Sequence, residues 1–359
     1  VDCPLVTALI DTYNQGRFIE EAIESVLAQD YPRERMEILV VDDGSTDDTT
    51  ERVKRFGARI RYIRKANGGQ ASALNLGFSE SRGEIIALLD GDDTWHAHKL
   101  TAITRTLETN PNAVLAYHPM AFFNATTRQT LTNNTFFPVS GRILSSMESA
   151  LRYGSVSTSN MALQRKVVER LSPIPEGMRI YADSYLAYLA VFLGPVVAVN
   201  EPLTRYRIHG DNLASCTSAP PDALLRRSRS FRESIDAIRR WLEQNGFDAK
   251  EANAAAFLRR QELVAQMLEF TATPPGRMEF SRYLTAFNRL YAPLWKTRYR
   301  MFRAVMPTLA MVTGYSGFEA LQRIYAAGFA IRARERWVAA QAAESLVALP
   351  ERALPGASQ

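Results

Sequence analysis

Cysteine is scarce in this chain. The two present among 359 residues, Cys3 and Cys216, do not make a disulfide framework, and both read as free thiols in a reducing compartment. No apolar run is long enough to cross a bilayer. The best of them, residues 304–318, is short and interrupted by Pro307, Gly314 and Gly317. No secretory signal is visible at the start, where Val1 reads as a trimmed terminus. The expected location is therefore cytoplasmic, extending to the inner face of the membrane. Two nucleotide-binding signatures are also missing. No Gly-x-Gly-x-x-Gly follows the first apolar run, and no Gly-Lys-Ser or Gly-Lys-Thr loop occurs anywhere, which argues against a dinucleotide fold. No nucleic-acid-binding motif is present and the basic residues are spread along several segments, so nucleic acid is not an expected partner.

What is present is the composition of a globular protein with a core, 46% hydrophobic and 23% charged. The net charge of +5 is unevenly spread: residues 221–359 hold 21 Lys and Arg against 13 Asp and Glu, a balance of +8, which leaves −3 for the first 220. An acidic front half agrees with a metal site. A basic back half fits a phosphate-bearing partner, a membrane surface, or simply a solvated helical exterior.

The front half alternates strand and helix. Residues 5–10 are a β-rich apolar run that stops at Asp11-Thr12-Tyr13-Asn14. Helical spacing follows in Phe18, Ile19, Ala22, Ile23, Val26 and Leu27, up to Pro32. Residues 38–41 form a second strand stopped by Asp42-Asp43-Gly44-Ser45, and Ser45 or Thr46 with Asp47 and Asp48 predicts a capped helix through Val53 and Phe56. A third strand at 60–63 leads to the turn Lys65-Ala66-Asn67-Gly68-Gly69 and a helix through Ala71, Ala73, Leu74, Gly77 and Phe78. Residues 85–89 are apolar on both faces, as in a buried strand, and end at Asp90-Gly91-Asp92-Asp93. This order predicts a doubly wound α/β unit with a mostly parallel sheet.

In such a sheet the strand ends that carry Asp11, Asp42-Asp43 and Asp90 to Asp93 share one edge, where open α/β sheets bind ligands. Carboxylates this close repel one another and are stabilised by a cation, most simply a hard divalent metal. A solvated acidic turn is the bland alternative, weakened by convergence from distant parts of the chain. Gly91 suits both, since it allows a tight turn and close approach.

The segments Asp11-Thr12-Tyr13-Asn14, Val40-Val41-Asp42-Asp43-Gly44-Ser45-Thr46-Asp47, Asn67-Gly68-Gly69 with Ala73 and Asn75, Gly83-Glu84-Ile85-Ile86 and Leu89-Asp90-Gly91-Asp92-Asp93 resemble the family 2 glycosyltransferases in order, spacing and residue type. The resemblance covers residues 4–215. It implies a GT-A fold, the Rossmann-like domain of nucleotide-diphospho-sugar transferases, over residues 1–220, with 221–359 left as a predominantly α-helical C-terminal domain or appendage. By the same resemblance Tyr13 packs on the nucleotide base. Asp43, with Asp42, accepts a hydrogen bond from a uracil- or thymine-like base. Asp11 stands where the family often has Thr, Ser or Pro. Asn67 falls in the donor-binding glycine turn. Asp90-Gly91-Asp92 resembles the D-x-D motif: Asp92 holds Mn²⁺ or Mg²⁺, Asp90 approaches the ribose or the metal's waters, and Asp93 supports them from behind.

Further along, residues 99–107 have helical spacing and 113–117 and 122–123 read as strands, followed by an exposed polar loop at 126–135. Met161-Ala162-Leu163-Gln164-Arg165 precedes an amphipathic helix that Pro173 and Pro175 end. Tyr181-Ala182-Asp183-Ser184-Tyr185-Leu186 starts another. A carboxylate at a helix start can be a plain N-cap; the resemblance makes Asp183 the catalytic base, with Ala182 where the family has Glu. Tyr206-Arg207-Ile208-His209-Gly210-Asp211-Asn212-Leu213-Ala214-Ser215 resembles the family's Tyr-Arg-x-His ending. There His209 is a further metal ligand or diphosphate contact, and Arg207 or Arg205 pairs with phosphate oxygens.

After Pro220-Pro221 the spacing turns helical at 224–241, 249–270, 278–290 and 299–348, punctuated by Pro274-Pro275 and Pro293. Basic and aromatic residues interleave from Trp295 to Arg303. Such a segment lies on an anionic membrane surface or packs on the catalytic domain or a second chain, which makes a homo-oligomer an open reading. The expectation is an inverting, metal-dependent transferase moving a sugar from a nucleotide-sugar, a UDP-sugar first, to a hydroxyl on a glycan, lipid-linked or protein acceptor. Surface polysaccharide or glycoconjugate biosynthesis is the expected setting. A non-catalytic binding or assembly protein on the same scaffold and a sugar nucleotidyltransferase are the alternatives.

Overall fold

Apolar side chains on both faces make β1 (Val6–Thr12) a central strand: Val6, Ala8, Leu9 and Ile10 are wholly buried. The computed structural model describes residues 3–127, 130–131, 138–154, 156–209, 212, 220–295, 300 and 303–317. Several expected features therefore lie wholly or partly outside the described residues: Cys216, most of the polar loop at 126–135, positions 210, 211 and 213–215 of the Tyr206 motif, most of the basic–aromatic segment, and the last helix beyond 317.

After β1 come α1 (Ile19–Leu27), β2 (Met36–Asp42), α2 (Thr49–Lys54), β3 (Arg61–Arg64), α3 (Gln70–Glu80) and β4 (Ile85–Asp90). Helix α1 buries Ile19, Ala22, Ile23 and Val26, the stripe its spacing predicts, and carries Glu20 and Glu21 in the first turn, where the helix dipole favours acids. Helix α2 ends before Phe56, so that ring packs from the following turn. Helix α3 lies so close to β1 that a Cβ on Gly77 would sit 2.5 Å from Leu9 Cδ1. Truncating Leu9 itself would cost about 2–5 kcal/mol.

Next come β5 (Thr94–Trp95), α4 (Lys99–Thr109), β6 (Leu115–Tyr117), β7 (Met120–Asn124), β8 (Thr130–Leu131), α5 (Met147–Arg152), β9 (Met161–Gln164), α6 (Arg165–Leu171), α7 (Ala182–Leu193), β10 (Val196–Ala198) and β11 (Thr204–Ile208). A seven-stranded sheet runs β10-β6-β9-β4-β1-β2-β3, and a second sheet runs β5-β11-β7-β8. The main sheet is mixed rather than all parallel, because β9 pairs antiparallel with both β4 and β6. The sequence reading missed β9: four residues are too few for strand alternation to declare itself.

The register places the site. Strands β2 and β4 flank β1 in parallel, setting Asp11 opposite Asp90 and Thr12 opposite Asp42. The three acidic strand ends therefore do share one edge.

Helices α8 (Pro221–Gln244), α9 (Ala252–Ala272) and α10 (Arg277–Tyr291) follow. The chain forms two compact units that divide after Thr273. The physical reason is that Phe231, Ile235 and Ile238 of α8 and Phe257 and Leu258 of α9 join one apolar cluster with Leu9, Leu39 and Leu88 of the sheet. In the second unit, α10 buries Phe280, Tyr283 and Leu284, and residues 303–317 are helical. Among the described residues no helix is long and apolar enough to cross a membrane.

Candidate active site

Each strand end contributes differently. Thr12 and Asp43 link β1 to the β2 loop through Asp43 N donating to Thr12 O at 2.9 Å. Asn14, with φ of 54°, ties the same two loops: its N donates to Ser45 Oγ at 2.9 Å and its Oδ1 accepts from Thr46 N at 2.8 Å. That loop leaves Tyr13 standing out at 46% exposure, an aromatic face free for stacking.

Asp42 and Asp43 diverge. Asp42 is fully buried, with Oδ1 accepting from Ser45 N at 2.7 Å and Oδ2 accepting from Tyr62 Oη at 2.7 Å and Thr50 Oγ1 at 3.0 Å. It shapes the loop, with both carboxylate oxygens bonded inside it. Asp43 Oδ1 accepts from Lys65 Nζ and Gly68 N, each at 2.9 Å, and Oδ2 accepts from Gly69 N at 2.6 Å. It therefore orders the glycine turn. Exposed Asn67, in that turn, accepts from the Arg179 guanidinium.

The acidic centre lies after β4. Asp90, Asp92 and Asp93 each offer an oxygen within 4.8 Å of the others. Gly91 makes the turn possible, for a Cβ there would fall 2.6 Å from Thr12 Oγ1. Asp92 Oδ2 lies 2.8 Å from His209 Nε2 and 3.4 Å from Gln15 Nε2. The imidazole is wedged beside the Phe18 ring, 4.7 Å between centroids. Asp93 is wholly buried and its Oδ1 accepts from Arg207 N at 2.8 Å.

Arg207 does not reach outward. Its Nε donates to Asp92 O at 2.8 Å and its Nη2 to Glu21 Oε2 at 2.5 Å, with the guanidinium 4.8 Å over Phe18. Two of its five N–H donors thus hold the acidic turn in place, and the side chain is 9% exposed.

Asp183 starts α7 and faces the same cluster. Its Oδ2 accepts from Thr158 N at 3.2 Å and its Oδ1 from Ser184 N at 2.7 Å. The next residue, Ser159, bonds the Asp90 backbone N at 3.1 Å and Asp90 Oδ2 at 3.2 Å. One short turn, Thr158–Asn160, thus spaces the two carboxylates. Immediately before α7, Tyr181 has φ of 66°, a left-handed conformation rare for a bulky residue, held by packing on its neighbours.

Burial and mutual repulsion make these acids hard to ionise together. Burial pushes Asp11 up to about 8, against its own backbone hydrogen bonding and helped by the charges of Asp183, Asp92 and Asp43. Burial raises Asp90 and Asp93 well above the usual carboxylate range, and neighbouring carboxylates add to it. Asp183 is raised by burial, partly offset by the Ser184 and Thr158 amides. Among the described residues, Asp11 Oδ1, Asp93 Oδ2 and His209 Nδ1 are buried with no hydrogen-bond partner. An oxygen-rich set with one imidazole and three unpartnered polar atoms fits a hard divalent cation.

The sequence reading missed Gln15, Thr158 and Ser159 as neighbours of these acids. It also read Lys99 only as a helix start. That side chain is wholly buried, donates to Ser159 O at 2.8 Å and lies 3.9 Å over the Trp95 ring. Burial draws its ammonium well below the usual range, offset in part by Asp93. Apart from its position at the start of an ordinary helical spacing, nothing in the sequence marks it.

The glycosyl transferase family 2 model matches residues 7–172. An uncharacterized glycosyltransferase of Nostoc sp. is 33% identical over 255 residues, which covers 68% of this chain and 78% of the relative. The crystal structure of S. aureus TarS 1-349 in complex with UDP-GlcNAc is similar at a TM-score of 0.53 and 16% identity, covering 90% of this chain and 92% of that one. The mannosyltransferase PcManGT from Pyrobaculum calidifontis, in complex with GDP-Man and Mn2+, is similar at a TM-score of 0.53 and 18% identity, covering 89% of this chain and 84% of that one. At these identities both structures speak to the fold alone.

Proposed function

The chain belongs to glycosyl transferase family 2 and is a glycosyltransferase, and from that premise we propose an inverting, metal-dependent transfer of a sugar from a nucleotide-sugar to a hydroxyl acceptor. The observation that carries it is the pairing of Asp92 with His209 at 2.8 Å beside Asp183, with Tyr13 exposed on the same sheet edge. A UDP-sugar is the first donor to test, in keeping with the UDP-GlcNAc bound by the TarS structure; the GDP-Man of PcManGT makes GDP-sugars the second.

In this reading Tyr13 stacks on the base. Asp43 Oδ2, which accepts one hydrogen bond from Gly69 N, has a lone pair left for a base N–H. Asp90 and Asp92, with His209, would hold Mn²⁺ or Mg²⁺. When bound, that ion would neutralise the diphosphate leaving group. Asp183, its basicity raised by burial, takes the proton from the acceptor hydroxyl, and the acceptor oxygen attacks the anomeric carbon opposite the departing diphosphate. One displacement inverts that centre. Asp42, Asp93 and Arg207 position the loops from behind, and Asp11 lines the floor next to Asp90.

The proposal extends to where the enzyme works. Residues 277–303 hold seven Lys and Arg against one Glu, and Val305 and Val312 are 56% and 67% exposed. Charge and apolar surface of this kind suit peripheral contact with an anionic membrane, and a lipid-linked or surface glycan acceptor. Co-sedimentation with anionic but not zwitterionic vesicles tests that part.

The test of the function is turnover and binding across UDP-, GDP- and dTDP-sugars with and without Mn²⁺. Metal-dependent hydrolysis of one donor is the expected result. No binding of any donor under any metal would overturn the enzymatic reading in favour of a binding or assembly protein.

A further inference from the structure

Helix α8 lies beyond the matched residues 7–172, yet it touches both arms of the site. Arg227, buried on α8, donates from Nη2 to the carbonyl oxygen of Asn212 at 3.1 Å. Asn212 in turn bonds back to His209 and Arg207: its Oδ1 accepts from His209 N at 2.6 Å and its Nδ2 donates to Arg207 O at 2.8 Å. His209 then meets Asp92. One helical turn after Arg227, on the same face of α8, Phe231 packs edge-on against Tyr181, 5.0 Å between centroids. Tyr181 is the left-handed residue that sets the entry of α7, two positions before Asp183.

We propose that α8 is a positioning element of the transfer site, with Arg227 fixing the His209 arm and Phe231 fixing the Asp183 arm. This rests on the reading above, in which His209 helps hold a divalent metal and Asp183 is the base. The physical case is preorganisation. A side chain on a turn is only as well placed as the turn, and a misplacement of about 1 Å can cost roughly a hundredfold in rate. Among the described residues, Asn212 ties to His209 through its side chain and through its N donating to His209 O at 3.2 Å, and the guanidinium holds the Asn212 backbone oxygen. The left-handed Tyr181 relaxes unless its ring is confined. Both restraints come from one face of one helix, so the separation of metal arm and base arm is set by α8 as a rigid spacer.

The test uses the full chain. Arg227→Met keeps the length of the side chain and removes its donors; Arg227→Lys keeps a donor and the charge. Ser228→Ala is the control, because Ser228 is buried on α8 but bonds Ala265 O and Glu269 instead. Mn²⁺ affinity is read with the metal alone, by electron paramagnetic resonance of the free ion, and kcat and KM for the donor are read at saturating Mn²⁺. Arg227→Met is expected to bind Mn²⁺ at least about tenfold more weakly and to lower kcat while donor KM stays within about twofold. Arg227→Lys recovers part of both. Ser228→Ala loses thermal stability and keeps wild-type Mn²⁺ affinity.

Wild-type Mn²⁺ affinity and kcat in Arg227→Met overturns the inference, and so does an equal loss of affinity in Ser228→Ala, which would mark a general packing effect. If Arg227→Met does not fold, Phe231→Leu decides: lower kcat with unchanged Mn²⁺ affinity supports the spacer role, and unchanged kcat refutes it. A wild-type chain indifferent to Mn²⁺ is a failure of the functional reading itself. A metal-dependent wild type with an indifferent Arg227→Met is a failure of this inference alone.

Discussion

His209 Nε2 lies 2.8 Å from Asp92 Oδ2, although 117 residues separate them. A carboxylate and an imidazole at that distance, one from the turn after β4 and one from the end of β11, either pair with each other or share a cation. The oxygens that Asp90, Asp92 and Asp93 bring within 4.8 Å of one another, with Asp93 Oδ2 unpartnered, favour the cation. Asp92→Ala should therefore abolish metal-dependent donor turnover with the fold intact by circular dichroism. His209→Ala should raise the Mn²⁺ concentration needed for half-maximal turnover by at least about tenfold. Turnover that survives Asp92→Ala with an unchanged Mn²⁺ requirement would remove Asp92 from the metal site.

Asp183 is held by two backbone amides, from Thr158 and Ser184. Asparagine keeps the shape and the acceptor oxygen but cannot take a proton. Asp183→Asn should leave donor affinity unchanged and lower transfer by about a hundredfold to ten-thousandfold, the range of general base catalysis. Donor affinity by calorimetry and transfer by product assay separate the two effects. Transfer at the wild-type rate places the base elsewhere.

The parts of this site that could be read from the sequence are those where a local pattern breaks. Apolar runs that stop at Asp11, Asp42 and Asp90 announce strand ends, and parallel order brings them to one edge without further information. Direction is what a linear pattern does not carry. Asp42 and Asp43 are adjacent, yet strand alternation sends Asp42 into the Ser45, Thr50 and Tyr62 cluster and Asp43 towards the glycine turn. Arg207 reads as a free cation until Glu21, Phe18 and the Asp92 carbonyl surround it. The role of α8 depends wholly on tertiary contact, since neither Arg227 nor Phe231 interrupts an amphipathic helix, and their partners lie in other elements.

The acidic cluster also sets a sign for pH dependence. Asp11, ordinarily near 3.8, is pushed up to about 8 by burial and its acidic neighbours. Between those values the folded protein keeps a proton that the unfolded chain has released. The stability this group contributes is present below about pH 4 and is lost as pH rises towards about 8. Asp90, Asp93 and Asp183 are displaced in the same direction. A divalent ion competes with these protons, so its affinity should rise with pH. Thermal melts should show a larger Mn²⁺-induced rise in Tm at pH 8 than at pH 6. An equal or larger rise at pH 6 would count against these carboxylates as the ligands.

Lys99 is a second buried basic residue at this cluster besides Arg207: it is wholly buried, over Trp95, bonded to Ser159 O and in the field of Asp93. Ser159 is the residue that holds Asp90, so the lysine supports the acidic turn from below through one backbone oxygen. Lys99→Met keeps most of the packing and removes the donor and the charge. It removes one of the two donors to Ser159 O, Thr204 Oγ1 being the other, and should destabilise the fold by about 1–3 kcal/mol. Asp93→Asn in the same chain removes the acid whose field reaches the ammonium. The double variant should then be more stable than Lys99→Met alone, with a coupling of at least about 1 kcal/mol in a double-mutant cycle from chemical denaturation. Strict additivity would show that the two groups do not interact, and that the ammonium is held by Ser159 and the Trp95 ring on their own.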